Sequence, residues 1–268
     1  MSAPSAAEFA AKVRRRETVV GYWIQLDSPA STERLARLGY DYVSLDAQHG
    51  LFGYSGMLAA LTAIDAGGGS AGLVRVEAND ATPIGRALDA GAAGVIVPLV
   101  NTAEDAVRAV AASRYPPVGV RSYGPTRAGM RIGPGPAEAN SSVVVLAMIE
   151  TPDGLANVEA IAATPGLDGL YIGPSDLTIA GGGAGPTDPA VAEAFEAALA
   201  RVRRACEANG VAAGLHTRSG DEAAQRVSEG FTLLTVASDI VHLEAAARAH
   251  LAAVDGARSA TSTSQSRG

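Results

Sequence analysis

Glu150 and Asp176 stand at matching places in two successive apolar runs. Residues 143–149 end directly in Glu150, and residues 169–172 are followed by Gly173-Pro174-Ser175-Asp176. A strand buried on both faces tolerates a carboxylate only at its mouth, where water, a metal or a partner meets the charge. Consecutive strands of a parallel βαβ unit expose their C-terminal ends on one side, so the two acids should converge. Two oxygen ligands, with other positions left to water and substrate, suit Mg²⁺ or Mn²⁺ better than zinc. The competing reading is that each acid caps the helix behind it, since Thr151-Pro152-Asp153 is itself a good helix start.

Other strand ends bring Gln25, Asp46, Gln48, His49, Arg75, His216 and Asp239. A histidine just past a strand end and beside an acid can act as a general base, with the acid fixing its tautomer. A hydrogen-bonded loop histidine is the alternative. Arg75 closes a parallel strand and needs an anion there, either a substrate or an internal carboxylate such as Asp46 or Asp89. His216, in GLHTRSG, could touch a second substrate or only a neighbouring loop. The sequence has one lysine, Lys12, placed before the first apolar strand. Imine catalysis needs a lysine desolvated among other catalytic groups, so a Schiff base is not expected. No GKS/T motif is present, and no nucleotide cofactor is expected.

The elements that must position these residues alternate. Strand-length apolar runs at 19–25, 42–45, 73–76, 94–99, 143–149, 169–172, 212–215 and 232–236 are each followed by a helical pattern. Eight such repeats predict a (β/α)₈ barrel over residues 1–255 as a single domain, rather than a doubly wound sheet. A short amphipathic helix over 4–16 precedes the first strand. The Gly- and Pro-rich stretch 115–141 carries Arg121, Arg127 and Arg131, and its length suggests function or disorder. The Gly-rich stretch 180–189 is expected to rim the mouth as a mobile lid. The polar tail 256–268 is expected to be disordered.

The bulk numbers close off other classes. Hydrophobic residues make up 47% of the chain and aromatics only 4%, giving a core of Ala, Val, Leu and Ile. A net charge of −7 favours neither nucleic acid nor an anionic membrane. One cysteine, Cys206, fits a reducing compartment, and no run approaches a membrane span. A cytoplasmic enzyme of small molecules is expected.

The segments LDAQHG at 45–50, RVEAND and LDAGAAGVIVPLV within 75–100, RYPPVGVRSYGPTRA at 114–128, MIET at 148–151 and GLDGLYIGPSDL at 166–177 occur in this order. Together they resemble the metal-dependent (class II) pyruvate aldolases of the 4-hydroxy-2-oxoheptanedioate and 2-dehydro-3-deoxyglucarate aldolase group. The resemblance covers residues 19–254. It implies a TIM barrel of the phosphoenolpyruvate/pyruvate type, assembled as a homo-oligomer (hexamer or trimer) with the last helix exchanged between subunits. It also implies a divalent cation (Mg²⁺, Mn²⁺ or Co²⁺) on Glu150 and Asp176. The reaction implied is aldol cleavage or addition of a 4-hydroxy-2-oxo acid, giving pyruvate and an aldehyde through a metal-stabilised enolate. His49 is then the base, oriented by Asp89. Arg75 binds substrate and opposes charge on the keto oxygen, with Asp46 in support. The Gly173-Pro174-Ser175 turn and the N–H groups around Ser175 and Asp176 bind the carboxylate, and Gln48 and His216 complete the substrate contacts.

Two positions depart from the family pattern. Many members read D-x-E-H where this chain has Gln48, and many carry glutamine where it has Met148. These changes leave the acceptor aldehyde open. The same enolate would also serve oxaloacetate decarboxylation, as in macrophomate synthase, or acyl-CoA cleavage, as in citrate-lyase-type subunits. A barrel that binds without catalysing is the alternative from another class, and metal titration separates it from the enzymes.

Overall fold

The computed structural model describes residues 5–133 and 135–265. Its strands are β1 Val19–Ile24, β2 Tyr42–Asp46, β3 Ala71–Arg75, β4 Gly94–Val97, β5 Val144–Ile149, β6 Gly169–Ile172, β7 Ala212–Thr217 and β8 Leu233–Ser238. They pair in parallel, each with the next, and β8 returns to β1 to close the barrel. The helices are α1 Ala6–Arg14, α2 Pro29–Ala36, α3 Tyr54–Gly67, α4 Ala81–Asp89, α5 Ala103–Ser113, α6 Ala128–Arg131 and α7 Pro136–Ser142. After β5 come α8 Pro152–Ala156, α9 Val158–Ala162, α10 Pro174–Ala180, α11 Ala192–Asn209, α12 Gly220–Ser228 and α13 Asp239–Gln265. The (β/α)₈ expectation is met, with strands in the expected order.

Closure is visible in the strand sequences. The residues of β2, β3, β4, β5, β6 and β8 are all buried, as a parallel sheet covered on both faces requires. The barrel interior is filled by large side chains. Tyr42 crosses it opposite Gly21, where a Cβ would fall 2.3 Å from the tyrosine ring. The Tyr171 hydroxyl donates to Thr235 Oγ1 at 2.7 Å, Thr235 Oγ1 meets the Tyr42 hydroxyl at 2.6 Å, and Tyr42 donates to the Leu234 carbonyl at 3.0 Å. If Thr235 donates to Tyr42, every proton in this buried chain has an acceptor, which is the condition for burying hydroxyls without cost. At the opposite end from the mouth, α1 starts from a Ser5/Glu8 capping box and packs Phe9 on Tyr42, ring centroids 5.8 Å apart. Lys12 pairs with Asp41 there at 3.0 Å, outside any site.

Three expectations change. The stretch 115–141 lies between α5 and β5, hence at the base of the barrel, and contains α6 and α7. Its arginines hold it down: Arg121 donates to Asp89 at 2.6 Å, Arg131 pairs with Asp65 at 2.8 Å, and Arg127 pairs with Asp65 and donates to the Ala90 carbonyl at 2.6 Å. No residue of the stretch 180–189 is among the walls of the cavity described below, and α10 stands between β6 and the rest of that stretch. The tail expected to be disordered from 256 continues as helix to Gln265, and residues 266–268 lie outside the described residues. Once a helix is nucleated each added residue closes one hydrogen bond, so a polar stretch can continue an existing helix. Among the described residues, no helix is long and apolar enough to cross a membrane.

Candidate active site

The strand ends that carry polar residues meet in one cavity of about 290 Å³. Its walls are Trp23, Gln25, Asp46, His49, Arg75, Met148, Tyr171, His216, Ser238 and Val241, with the Gly173–Asp176 turn. Of the residues nominated from sequence, Gln25, Asp46, His49, Arg75, Gly173, Pro174, Ser175, Asp176 and His216 line it. Glu150 adjoins it from behind Gly173. Gln48 and Asp89 do not line it.

The Asp46 carboxylate organises one side. It accepts Arg75 Nε at 2.9 Å and Nη2 at 2.6 Å, Trp23 Nε1 at 3.1 Å, and the backbone N–H groups of Gln48 and His49 at 3.2 and 3.1 Å. Burial by itself would push this carboxyl up. The Arg75 fork and charge, with the other donors, outweigh it and hold Asp46 below the usual carboxylate range. Of the two internal partners open to Arg75, the fold supplies Asp46. The turn wound on Asp46 gives the cavity to His49, which is exposed there, and not to Gln48, whose Oε1 is buried without a partner. Gln48 therefore takes no contact in this cavity.

Asp89 is not brought to His49 within the chain. It is the last residue of α4, nine residues that run back from the mouth over about 13 Å, and its carboxylate takes the Arg121 guanidinium at the base.

Glu150 and Asp176 do converge. Glu150 is 3% exposed, and its Oε1 accepts the Leu99 N–H at 2.7 Å, presented by a left-handed Leu99 backbone (φ 54°). A Cβ on Gly173 would fall 2.7 Å from Glu150 Oε2, so only glycine leaves room beside that oxygen. Burial pushes the Glu150 carboxyl up, and the nearby Asp176 charge adds to the rise. The Arg75 charge offsets only part of the cost of a buried carboxylate with one N–H donor and a second carboxylate beside it, so the pair favours a further cation. Among the described residues, no group of three His, Cys, Asp or Glu is arranged for a metal. The acid pair thus offers two oxygen donors and leaves the remaining positions to others, a donor set that fits a hard divalent cation. Beside it, the N–H groups of Ser175 and Asp176, in the first turn of α10, have no acceptor among the described residues, and the first backbone bond of that helix runs from Leu177 to Gly173.

Trp23, Tyr171, Met148 and Ser238 line the cavity and were not nominated from sequence. The Trp23 indole stacks on Tyr171 (6.0 Å, 21°), meets His216 edge-on (5.4 Å, 78°) and lies 5.1 Å from the Arg75 guanidinium carbon. Desolvation, aided by the Arg75 charge, lowers the His216 imidazole to about 4, so it is neutral near pH 7. Strand periodicity held the missing signal. Trp23, Met148 and Tyr171 each stand two residues before a mouth position (Gln25, Glu150, Gly173) and so face the same way, one layer deeper.

The HpcH/HpaI aldolase/citrate lyase family model matches residues 19–246. The chain belongs to this family. It is 42% identical to a hydroxypyruvate/pyruvate aldolase of Rhizorhabdus wittichii, over 84% of this chain and 90% of that protein. It is 36% identical to a 5-keto-4-deoxy-D-glucarate aldolase of Klebsiella pneumoniae, over 87% of this chain and 91% of that one. The fold superposes on a crystal structure of an HpcH/HpaI aldolase/citrate lyase family protein from Burkholderia cenocepacia with a TM-score of 0.83 and 32% identity, covering 93% of this chain and 99% of that one. Membership in the HpcH/HpaI family makes the chain an enzyme of the carbon–carbon lyase class, with the aldolases as its named relatives.

Proposed function

We propose that the protein is a divalent-metal-dependent pyruvate aldolase, which cleaves a 4-hydroxy-2-oxo acid to pyruvate and an aldehyde or runs the addition. The observation that carries this reading is the convergence of Glu150 and Asp176 beside the Arg75–Asp46 clamp and the exposed His49. Mg²⁺, Mn²⁺ or Co²⁺ held by the two acids supplies Lewis-acid polarisation of the 2-oxo group when bound.

The chain's own residues do the rest. The N–H groups of Ser175 and Asp176 receive the substrate carboxylate. Arg75 keeps Nη1 free of Asp46 and turns it toward the charge developing on the 2-oxo oxygen; held by the clamp, it needs no reorganisation. His49 takes the proton of the 4-hydroxyl as the C3–C4 bond breaks, releasing the aldehyde and leaving the pyruvate enolate; that proton, exchanging with solvent, is then delivered to C3, which gives pyruvate and restores the base. Asp46 stays ionised and moves no proton. The names of the two aldolase relatives support the reaction class.

We place the enzyme in the cytoplasm as a homo-oligomer. Every residue from Val241 to Asp255 on α13 is exposed, and past Val241 at the cavity this includes Leu243, Leu251 and Val254, apolar surface that a neighbouring copy would cover. Sedimentation velocity of the full chain against a chain ending before residue 241 tests the assembly. A monomeric full chain would refute it.

The deciding experiment needs no acceptor. Pyruvate is incubated with the protein in D₂O with Mg²⁺, Mn²⁺ or Co²⁺, and the methyl signal is followed by proton NMR. Metal-dependent loss of signal, abolished by EDTA and by Glu150→Ala, is the expected result. Folded protein that exchanges no proton with any of the three ions would refute the reading.

A further inference from the structure

The cavity has two unlike halves. Strands β2, β3 and β6 bring its charged side, with Asp46, His49, Arg75 and Asp176, and with Glu150 of β5 behind. The contiguous arc β7–β8–β1 brings His216, Ser238, Trp23 and Gln25. No side chain in that arc is charged near pH 7, because His216 is held neutral.

The arc is built by local strain. In the pairing of β1 with β8, Tyr22 faces Val236 and Trp23 faces Ser238, so Ala237 is an extra residue. It bulges out with φ 48°, a left-handed conformation that a residue with a Cβ adopts only under constraint. The bulge re-aims the strand so that Ser238 stands opposite Trp23 on the cavity wall. The next residue, Asp239, takes the backbone N–H groups of Gln25 at 2.9 Å and Leu26 at 3.1 Å, which fixes where Gln25 leaves β1. The side chains of Gln25, His216 and Ser238 form no hydrogen bond with any described residue.

We propose that this arc is the acceptor subsite and that it selects an uncharged, hydroxyl-bearing aldehyde over an aldehyde carrying a second carboxylate. This rests on the enolate reading above. A neutral imidazole, a primary amide and a hydroxyl each offer a donor and an acceptor, the pairing that an alcohol group needs. A carboxylate only accepts and requires a cation when it is desolvated. Among the described residues Arg75 is the one arginine or lysine on the cavity wall, and two of its nitrogens already serve Asp46. Arg75 neutralises Asp46, and a bound divalent ion would neutralise Glu150 and Asp176, so the wall keeps no spare cation for a second anion while it offers partners to a hydroxyl.

The test uses the full chain with pyruvate and each of Mg²⁺, Mn²⁺ and Co²⁺. It measures kcat/KM for glyceraldehyde and for succinic semialdehyde, with deuterium exchange into pyruvate on the same preparation. Glyceraldehyde should be favoured about tenfold or more. His216→Phe keeps a ring edge against Trp23 and should lower the glyceraldehyde-to-semialdehyde ratio about tenfold, chiefly through the aldehyde KM. Gln25→Lys adds a cation and should lower the same ratio. Exchange together with equal or better use of the semialdehyde overturns the subsite, as does a ratio unmoved by both variants. Absence of exchange in folded protein overturns the enolate reading, and the subsite falls with it.

Discussion

Arg75 grips Asp46 through two hydrogen bonds, Nε to Oδ1 at 2.9 Å and Nη2 to Oδ2 at 2.6 Å, with the carboxylate fully buried. The fork fixes the plane of the guanidinium, and the indole N–H of Trp23 fixes the carboxylate in turn. A charge intended for a transition state is thereby held before substrate arrives.

Removing the clamp should cost both stability and turnover. Asp46→Asn preserves shape but leaves the buried Arg75 uncompensated, a loss of about 3–5 kcal/mol. Thermal unfolding reads that loss. Pyruvate exchange should fall by about a hundredfold. Arg75→Lys should not restore it, since an ammonium cannot fork. Because the folded state holds the Asp46 carboxyl low, its stabilisation is present above the ordinary value of 3.8 and fades as pH falls through the lowered folded value. Asp46→Asn should flatten that acid limb, and an unchanged limb would count against the clamp.

Glu150 carries the opposite sign. Burial, then Asp176, raises its carboxyl above the ordinary value of 4.5, so the folded state binds its proton more tightly. Its contribution to stability is greatest below 4.5 and declines as pH rises through the folded value. Glu150→Gln should therefore melt at or above the wild-type temperature at pH 8, while abolishing exchange. Added Mg²⁺ or Mn²⁺ should raise the melting temperature of the wild type and leave Glu150→Gln unmoved. A destabilised glutamine variant would contradict this account.

Gly173→Ala isolates the space beside the acid pair. The new Cβ would meet Glu150 Oε2 at 2.7 Å and Met148 Cε at 2.9 Å, so the carboxylate must move. The expected result is a folded protein with exchange reduced about a hundredfold, because a displacement near 1 Å carries that penalty. Divalent ions should also lose their stabilising effect. Wild-type kinetics in this variant would show that the Glu150 position is not critical.

His216 should leave a thermodynamic trace. Neutral in the fold down to about 4 but protonated below 6.5 when unfolded, it makes stability fall as pH drops from 6.5 toward 4. His216→Phe should lessen that decline in chemical denaturation series run at pH 7, 6 and 5. A parallel decline in both proteins would place the imidazole in water.

Most of the scaffold and half of the site were legible because barrels obey two periodicities. Apolar runs alternating with helical patterns count to eight, and polar residues at strand ends must share one mouth, which groups Gln25, Asp46, His49, Arg75, Asp176 and His216. Trp23 and Tyr171 escaped notice because aromatic residues in a strand read as core; only the depth of the cavity reveals that they are also its floor. Adjacent loop residues look equivalent in sequence, whereas the turn wound on Asp46 puts His49 on the cavity wall and leaves Gln48 off it.

The fold class and the acid pair after β5 and β6 could be read from the chain, since each depends only on residue type and spacing. Which acid serves Arg75 depends on packing. Asp46 and Asp89 are interchangeable as charges on a line of text. One lies beside Arg75 in the register of β2 and β3, and the other is carried by α4 to the opposite end of the barrel and paired with Arg121. Packing also decided the uncharged arc, because the bulge at Ala237 that turns Ser238 toward the cavity is a property of two paired strands and not of either one.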